Sequence, residues 1–134
     1  MSNGSQEFNY EEIEYLQHGD RSMMLYLGRS ASASFAAAAL DFWHGSDEYP
    51  TAPQDTHYAT RWLKLNTERY NLDAERLGLC GQFSGGHLAA ITAMRPNDDR
   101  YGAVALGSLA GIDAQVHCAA FVWVVINTRS WHRH

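Results

Sequence analysis

Cysteine is scarce in this 134-residue chain, which carries Cys80 and Cys118 and no others. Two cysteines cannot build a disulfide framework. Their neighbours (Leu79 and Gly81; Ala119 and Phe121) read as strand interiors, so both are expected to be reduced, buried thiols. Basic residues are also few: 10 Lys and Arg against 15 Asp and Glu leave a net charge of −5, and the sequence pI is 5.7. Without a Lys/Arg cluster, that balance argues against nucleic acid or an anionic membrane surface as partner. Charged residues at 19% are too few, and aromatics at 12% too many, for a disordered chain. Long hydrophobic runs are missing as well. The longest apolar stretches, Phe35–Leu40 and Ala119–Ile126, fall far short of the roughly 20 residues of a membrane span. The opening MSNGSQEFNYEEIEY has neither a basic n-region nor an apolar h-region, so no signal peptide is expected. The absences point to a cytoplasmic globular protein, with residues 1–134 forming one domain.

What is present reads as short strands interleaved with helices. Glu12–Leu16 (EIEYL) alternates polar and apolar residues, as a half-buried strand does, and Met23–Leu27 (MMLYL) is a second short strand. His18, Gly19 and Asp20 punctuate the pair like a hairpin turn. Gly28–Ser34 (GRSASAS) is a small, flexible link. Phe35–Phe42 (FAAAALDF) fits a helix by its alanines, and a buried strand by its length and the Gly45/Asp47/Pro50/Pro53 loop that follows. Beyond it the spacing predicts a helix from Asp55 to Tyr70, with Asp55 as N-cap and Tyr58, Ala59, Trp62 and Leu63 in one apolar stripe. Arg76–Cys80 (RLGLC) reads as a central parallel strand, followed by a tight glycine-rich turn and a helix over His87–Met94 that ends before Pro96. Val116–Ile126 reads as a buried strand, with Phe121, Trp123 and Trp62 most simply in the core. The final NTRSWHRH has no periodicity. His132 and His134 within it lack a third ligand at a defined spacing, so no metal site is expected. This order of elements calls for parallel βαβ units with right-handed crossovers, an α/β fold.

A strand, a glycine-flanked turn and a helix form the setting in which a nucleophile elbow works. The apex residue takes a strained backbone conformation, and side chains on its neighbours would clash. The segment RLGLCGQFSGGHLAAITAMRPNDDRY resembles that elbow as it occurs in α/β-hydrolase esterases and lipases, in the branch related to hormone-sensitive lipase. The upstream run from Ala39 to Leu79 resembles the strand, loop and helix that precede the elbow there. Downstream, DAQVHCAAFVWVVI resembles the next sheet strand. Together these segments cover residues 36 to 126. The resemblance implies a three-layer, partial α/β-hydrolase-like fold with a mostly parallel sheet.

The departures are as informative. The family pattern is G-x-S-x-G. Aligned on Gly81 and Gly85, its serine position holds Phe83, which cannot act as a nucleophile. Ser84 stands next to it, at the position whose backbone N–H normally donates to the oxyanion. Taking Ser84 as nucleophile instead puts Gln82 where the first glycine belongs. The His-Gly-Gly loop of the family has no counterpart in MMLYLGRSASASFAAAALDF, where a strand, a loop and a helix are missing. The family's acid and histidine follow the strand that matches Val116–Ile126, and NTRSWHRH does not resemble that continuation. The expected unit is therefore a truncated hydrolase-like domain.

By resemblance the function is carboxylic-ester hydrolysis of short acyl esters, needing no cofactor and no metal. Ser84 is the candidate nucleophile, with Gly85 and Gly86 supplying backbone N–H groups to the oxyanion, and with His87 and Asp113 as candidate base and acid. The simpler readings are a turn-stabilising serine, a structural histidine and a loop aspartate. With Phe83 at the apex, the alternative is an inactive hydrolase-like domain that binds a small apolar ligand or a protein partner. A small ester-like molecule is the expected ligand. Loss of sheet-covering segments predicts a homo-oligomer.

Overall fold

The computed structural model describes residues 10–29, 35–45, 48–105 and 111–124. The tail before Tyr10, residues 30–34 of the GRSASAS link, and the NTRSWHRH segment with His132 and His134 lie outside the described residues. The chain divides into two compact units, with the boundary between Phe42 and Trp43.

The first unit is a three-stranded antiparallel sheet in the order β1 (Tyr10–His18), β2 (Arg21–Arg29), β3 (Ala36–Leu40). Its two-residue turn needs Gly19, whose φ of 57° is a left-handed conformation that side chains resist. Along β2 burial follows the two-residue period of a strand: Met23, Leu25 and Leu27 are buried, while Met24 and Tyr26 are half-buried. In β1 the register slips between Glu14 and Leu16, a bulge that leaves Tyr15 buried with its hydroxyl donating to the Asp41 carbonyl. The run Ala36–Leu40 is a strand, not a helix, and it is largely exposed. Backbone pairing with β2 prevails there over the helix propensity of alanine.

In the second unit, α1 (Glu48–Leu65) is the long helix. It differs from the expected Asp55–Tyr70 helix at both ends: it stops at Leu65, and Asp55 is not its N-cap. Tyr49 departs from helical dihedrals, so the continuous helix begins after it and Pro53 falls in its opening turn. N–H groups there have no intrahelical partner, and a proline costs little. Asp55 is thus inside the helix. It is fully buried, and its carboxylate accepts the Trp43 N–H at 2.7 Å. A short helix, α2 (Thr67–Tyr70), follows and is closed by Asn71 in the left-handed region (φ 48°). Trp62 is half-buried, its ring 5.8 Å from that of Tyr70.

After a 3₁₀ turn at Ala74–Arg76, β4 runs from Gly78 to Gln82, two residues later than the RLGLC pattern indicated. Asp73 caps that turn by accepting the Glu75 N–H at 3.0 Å and thereby takes Arg76 out of the strand. α3 (Phe83–Met94) then crosses over to β5 (Cys118–Val122), which pairs with β4 in parallel from Gly78↔Cys118 to Gln82↔Val122. This is the expected βαβ connection, and α3 packs on both strands. Among the described residues, β5 is the one strand paired with β4. Burial here departs from the expected buried strand and buried thiols. Cys80 and Cys118 are free and exposed, β5 is exposed along its length, and Phe121 and Trp123 are exposed too. Apolar composition promised a covered strand, but within this unit α3 covers one sheet face and nothing described covers the other.

Candidate active site

No residue separates β4 from α3. Gln82 is still extended, Phe83 has a φ of 50°, and the helix proceeds from there. A bulky residue in the left-handed region is an outlier that the surroundings must enforce, and here two glycines do so. A Cβ on Gly81 would lie 2.4 Å from the Gly85 carbonyl oxygen, 2.5 Å from its carbon and 2.7 Å from the Gly86 nitrogen. A Cβ on Gly86 would lie 3.0 Å from the Gly81 oxygen. Gly85, by contrast, has open space around it. The elbow is therefore fully formed, and its apex is Phe83.

The apex side chain is 60% exposed, with its ring centroid 5.5 Å from that of Trp123, which is 73% exposed. Trp123 also sits in the left-handed region, at φ 51°, immediately after β5. Two strained aromatics thus stand side by side at the carboxyl ends of neighbouring parallel strands. In open α/β sheets that edge is where ligands bind. Sequence reasoning had placed Trp123 in the core. The alternation that would have shown it leaving the strand is hidden in the uniformly apolar run VHCAAFVWVVI.

The other candidate residues are dispersed. Ser84 follows the apex in the first turn of α3 and is exposed. Among the described residues no hydrogen bond joins it to an imidazole. The first turn of α3 carries no acidic residue, and the side chain of Gln82 does not cap it, so its N–H groups are not claimed by a local carboxylate. His87 is half-buried one turn on and lines a cleft of about 220 Å³ with Ile91, Met94, Arg95, Arg100 and Tyr101. Asp113 is committed elsewhere. Its carboxylate takes a hydrogen bond from Lys64 Nζ at 2.7 Å and one from the Gln115 N–H at 3.1 Å. The Lys64 ammonium holds the Asp113 carboxyl below its ordinary pKa. Arg61, one turn earlier on α1, donates to the carbonyls of Ile112 at 3.1 Å and Val104 at 3.0 Å. α1 therefore fixes the chain leading into β5, with Asp113 as part of that clamp.

His57 on α1 is fully buried, and neither ring nitrogen has a hydrogen-bond partner among the described residues. Its ring lies 5.4 Å from that of Tyr101. Burial first, and the Arg61 charge second, push its pKa down to about 4. A neutral imidazole enclosed this way is a packing element.

Comparison with known proteins converges on one group. The BD-FAE family profile matches residues 15–125. Esterase LipC of Mycobacterium tuberculosis is 28% identical over 103 residues, 74% of this chain and 26% of LipC. The probable carboxylic ester hydrolase LipM of the same organism is 28% identical over 72 residues, 53% of this chain and 17% of its own length. This chain thus spans about a quarter or less of either relative. Among solved structures, Thermogutta terrifontis esterase 2 phosphonylated by cyclosarin superposes with a TM-score of 0.72 at 19% identity, over 87% of this chain and 56% of that one. The fold is that of part of an α/β-hydrolase.

Proposed function

This chain belongs to the BD-FAE family, within the α/β-hydrolase esterases and lipases, and from that premise we propose that it is an esterase-like domain with a disarmed elbow. It receives small apolar, ester-like molecules at the Phe83–Trp123 edge and turns them over slowly. The observation that carries this reading is the φ of 50° at Phe83. The backbone strain that normally presents a nucleophile presents a phenyl ring instead.

Residual chemistry falls to Ser84. Its Oγ attacks the ester carbonyl while the N–H groups of Gly85 and Gly86 face the developing oxyanion; the C–O bond to the alcohol breaks, the alcohol leaves with the serine proton, and water then hydrolyses the acyl-serine to release the acid. His87 is the base nearest in sequence, and Asp113, held by Lys64, does not orient it. In well-studied serine proteases, losing a triad member leaves roughly 10³–10⁴-fold acceleration over water. Each missing oxyanion donor removes about a further 10²–10³. Rates close to background on unactivated esters follow. Uncovered apolar groups, including Phe35 at 67% and Val122 at 43% exposure, support a homo-oligomer. Two free thiols suit a reducing compartment, and the cytoplasm goes with this reading. Among the described residues no helix is long and apolar enough to cross a membrane.

The test is hydrolysis of a short activated ester by purified protein, with Ser84→Ala alongside. Weak turnover that disappears in Ser84→Ala is the expected result. Turnover above about 1 s⁻¹, the low end for ordinary enzymes, refutes the disarmed elbow. Equal rates in the variant remove Ser84 as nucleophile.

A further inference from the structure

The uncovered face of the β4–β5 pair carries both cysteines of the chain. Along β4, exposure alternates so that Gly78, Cys80 and Gln82 share that face. The parallel register sets Gly78 beside Cys118 and Cys80 beside Ala120. The four positions make a small square, with the thiols on one diagonal and two residues of minimal bulk on the other. The Cys118 thiol leans toward β4, over Gly78, since a Cβ added to Gly78 would lie 2.7 Å from its Sγ. Both cysteines are free and exposed.

A disulfide does not fit the square. Strands about 4.8 Å apart, rising about 3.3 Å per residue, put the two Cα atoms roughly 8 Å apart on the diagonal. That exceeds the roughly 7 Å beyond which a bridge requires backbone movement. A metal ion between the sulfurs asks less of the backbone, since two metal–thiolate bonds of about 2.3 Å let the sulfurs stand about 4.6 Å apart. Zinc prefers four ligands, and among the described residues no group of three or more His, Cys, Asp or Glu could hold a metal. A site made of these two thiolates alone suits a soft ion of low coordination number rather than zinc.

We propose that Cys80 and Cys118 form a two-coordinate site for a soft monovalent cation of the Cu(I) class, on the sheet face that α3 does not cover. Binding exchanges two S–H protons for two metal–sulfur bonds. One Cu(I) enters, two protons leave, and no electron is transferred. The site is independent of the elbow and of the esterase reading.

The test is an anaerobic titration of the full, reduced chain with Cu(I) against the chromogenic chelator bicinchoninate, with size-exclusion chromatography before and after. One Cu(I) per chain, without a copper-dependent change in oligomeric state, is expected. Cys80→Ser and Cys118→Ser should each lose that binding. Gly78→Val keeps both thiols, as a thiol count with Ellman's reagent verifies, but its side chain displaces Cys118 Sγ. It should weaken binding about tenfold or more, as mispositioned ligands do. Two ions per chain, undiminished binding in either serine variant, or copper-driven dimerisation with Gly78→Val unaffected would each overturn the proposal. Circular dichroism identifies a variant that fails to fold, and the remaining variants still decide the question.

Discussion

Replacing Gly81 with alanine should damage this protein far more than the same change at Gly85, although the G-x-S-x-G pattern treats the two positions alike. At Gly81 the new methyl would meet three backbone atoms at 2.4–2.7 Å, none of them the end of a flexible side chain. To regain the 3.4 Å of ordinary contact, β4 and the first turn of α3 must separate by about 1 Å. Overpacking of this kind costs about 1–3 kcal/mol and occasionally more, and backbone on both sides argues for the top of that range. A domain has about 5–15 kcal/mol of stability in total. A loss of roughly 3 kcal/mol should lower Tm on the order of 10–15 °C for a unit of this size. Gly85 meets nothing within 4 Å and lies in a helix, where alanine is favoured over glycine by up to about 1 kcal/mol. Gly85→Ala should therefore leave Tm unchanged or raise it slightly. Gly86→Ala should fall between, with its closest contact at 3.0 Å. Urea melts followed by circular dichroism give the three values. Equal destabilisation at Gly81 and Gly85, or a Gly81→Ala cost under about 0.5 kcal/mol, the usual scale of an inert surface change, would refute the steric account of the elbow.

Phe83→Ser should restore the pattern but not the rate, because among the described residues no imidazole is hydrogen-bonded to the neighbouring Ser84; ester turnover is expected to stay below about 1 s⁻¹, and a steady-state assay checks it. Acid should weaken the fold through His57. Its pKa is about 4 when folded and 6.5 when unfolded, so the unfolded chain takes up the proton first. Stability is then complete above pH 6.5 and falls by roughly 3 kcal/mol as pH drops from 6.5 towards 4. Urea melts across that window should show the slope, and His57→Leu should remove this part of it. The Asp113 carboxyl, held low by Lys64, adds a smaller loss as pH falls through its depressed value, because it is stabilising only when ionised. A double-mutant cycle with Lys64→Met and Asp113→Asn should give a coupling of about 1 kcal/mol or less, since the Asp113 side chain is 39% exposed.

Local order sufficed for the parts of this protein whose physics is local. Alternation in EIEYL and the apolar run MMLYL, punctuated by Gly19, determined the β1–β2 hairpin, while the sheet decided which residues of β2 turn inward. The stripe of Tyr58, Ala59, Trp62 and Leu63 marked a helix without its bounds, and the run RLGLCGQFSGGHLAAITAM marked a strand and a helix joined at an elbow. Replacement of the nucleophile by Phe83 was visible in that run as well. Tertiary structure decided whatever depends on neighbours distant in the chain. Gly86 rather than Gly85 turned out to be the second sterically required glycine, because the backbone of β4 returns against it. Asp55 became a buried acceptor rather than a cap because Trp43 arrives to meet it. Trp123 and both cysteines became exposed because an apolar strand is buried only where another element covers it, and α3 reaches just one face of the β4–β5 pair.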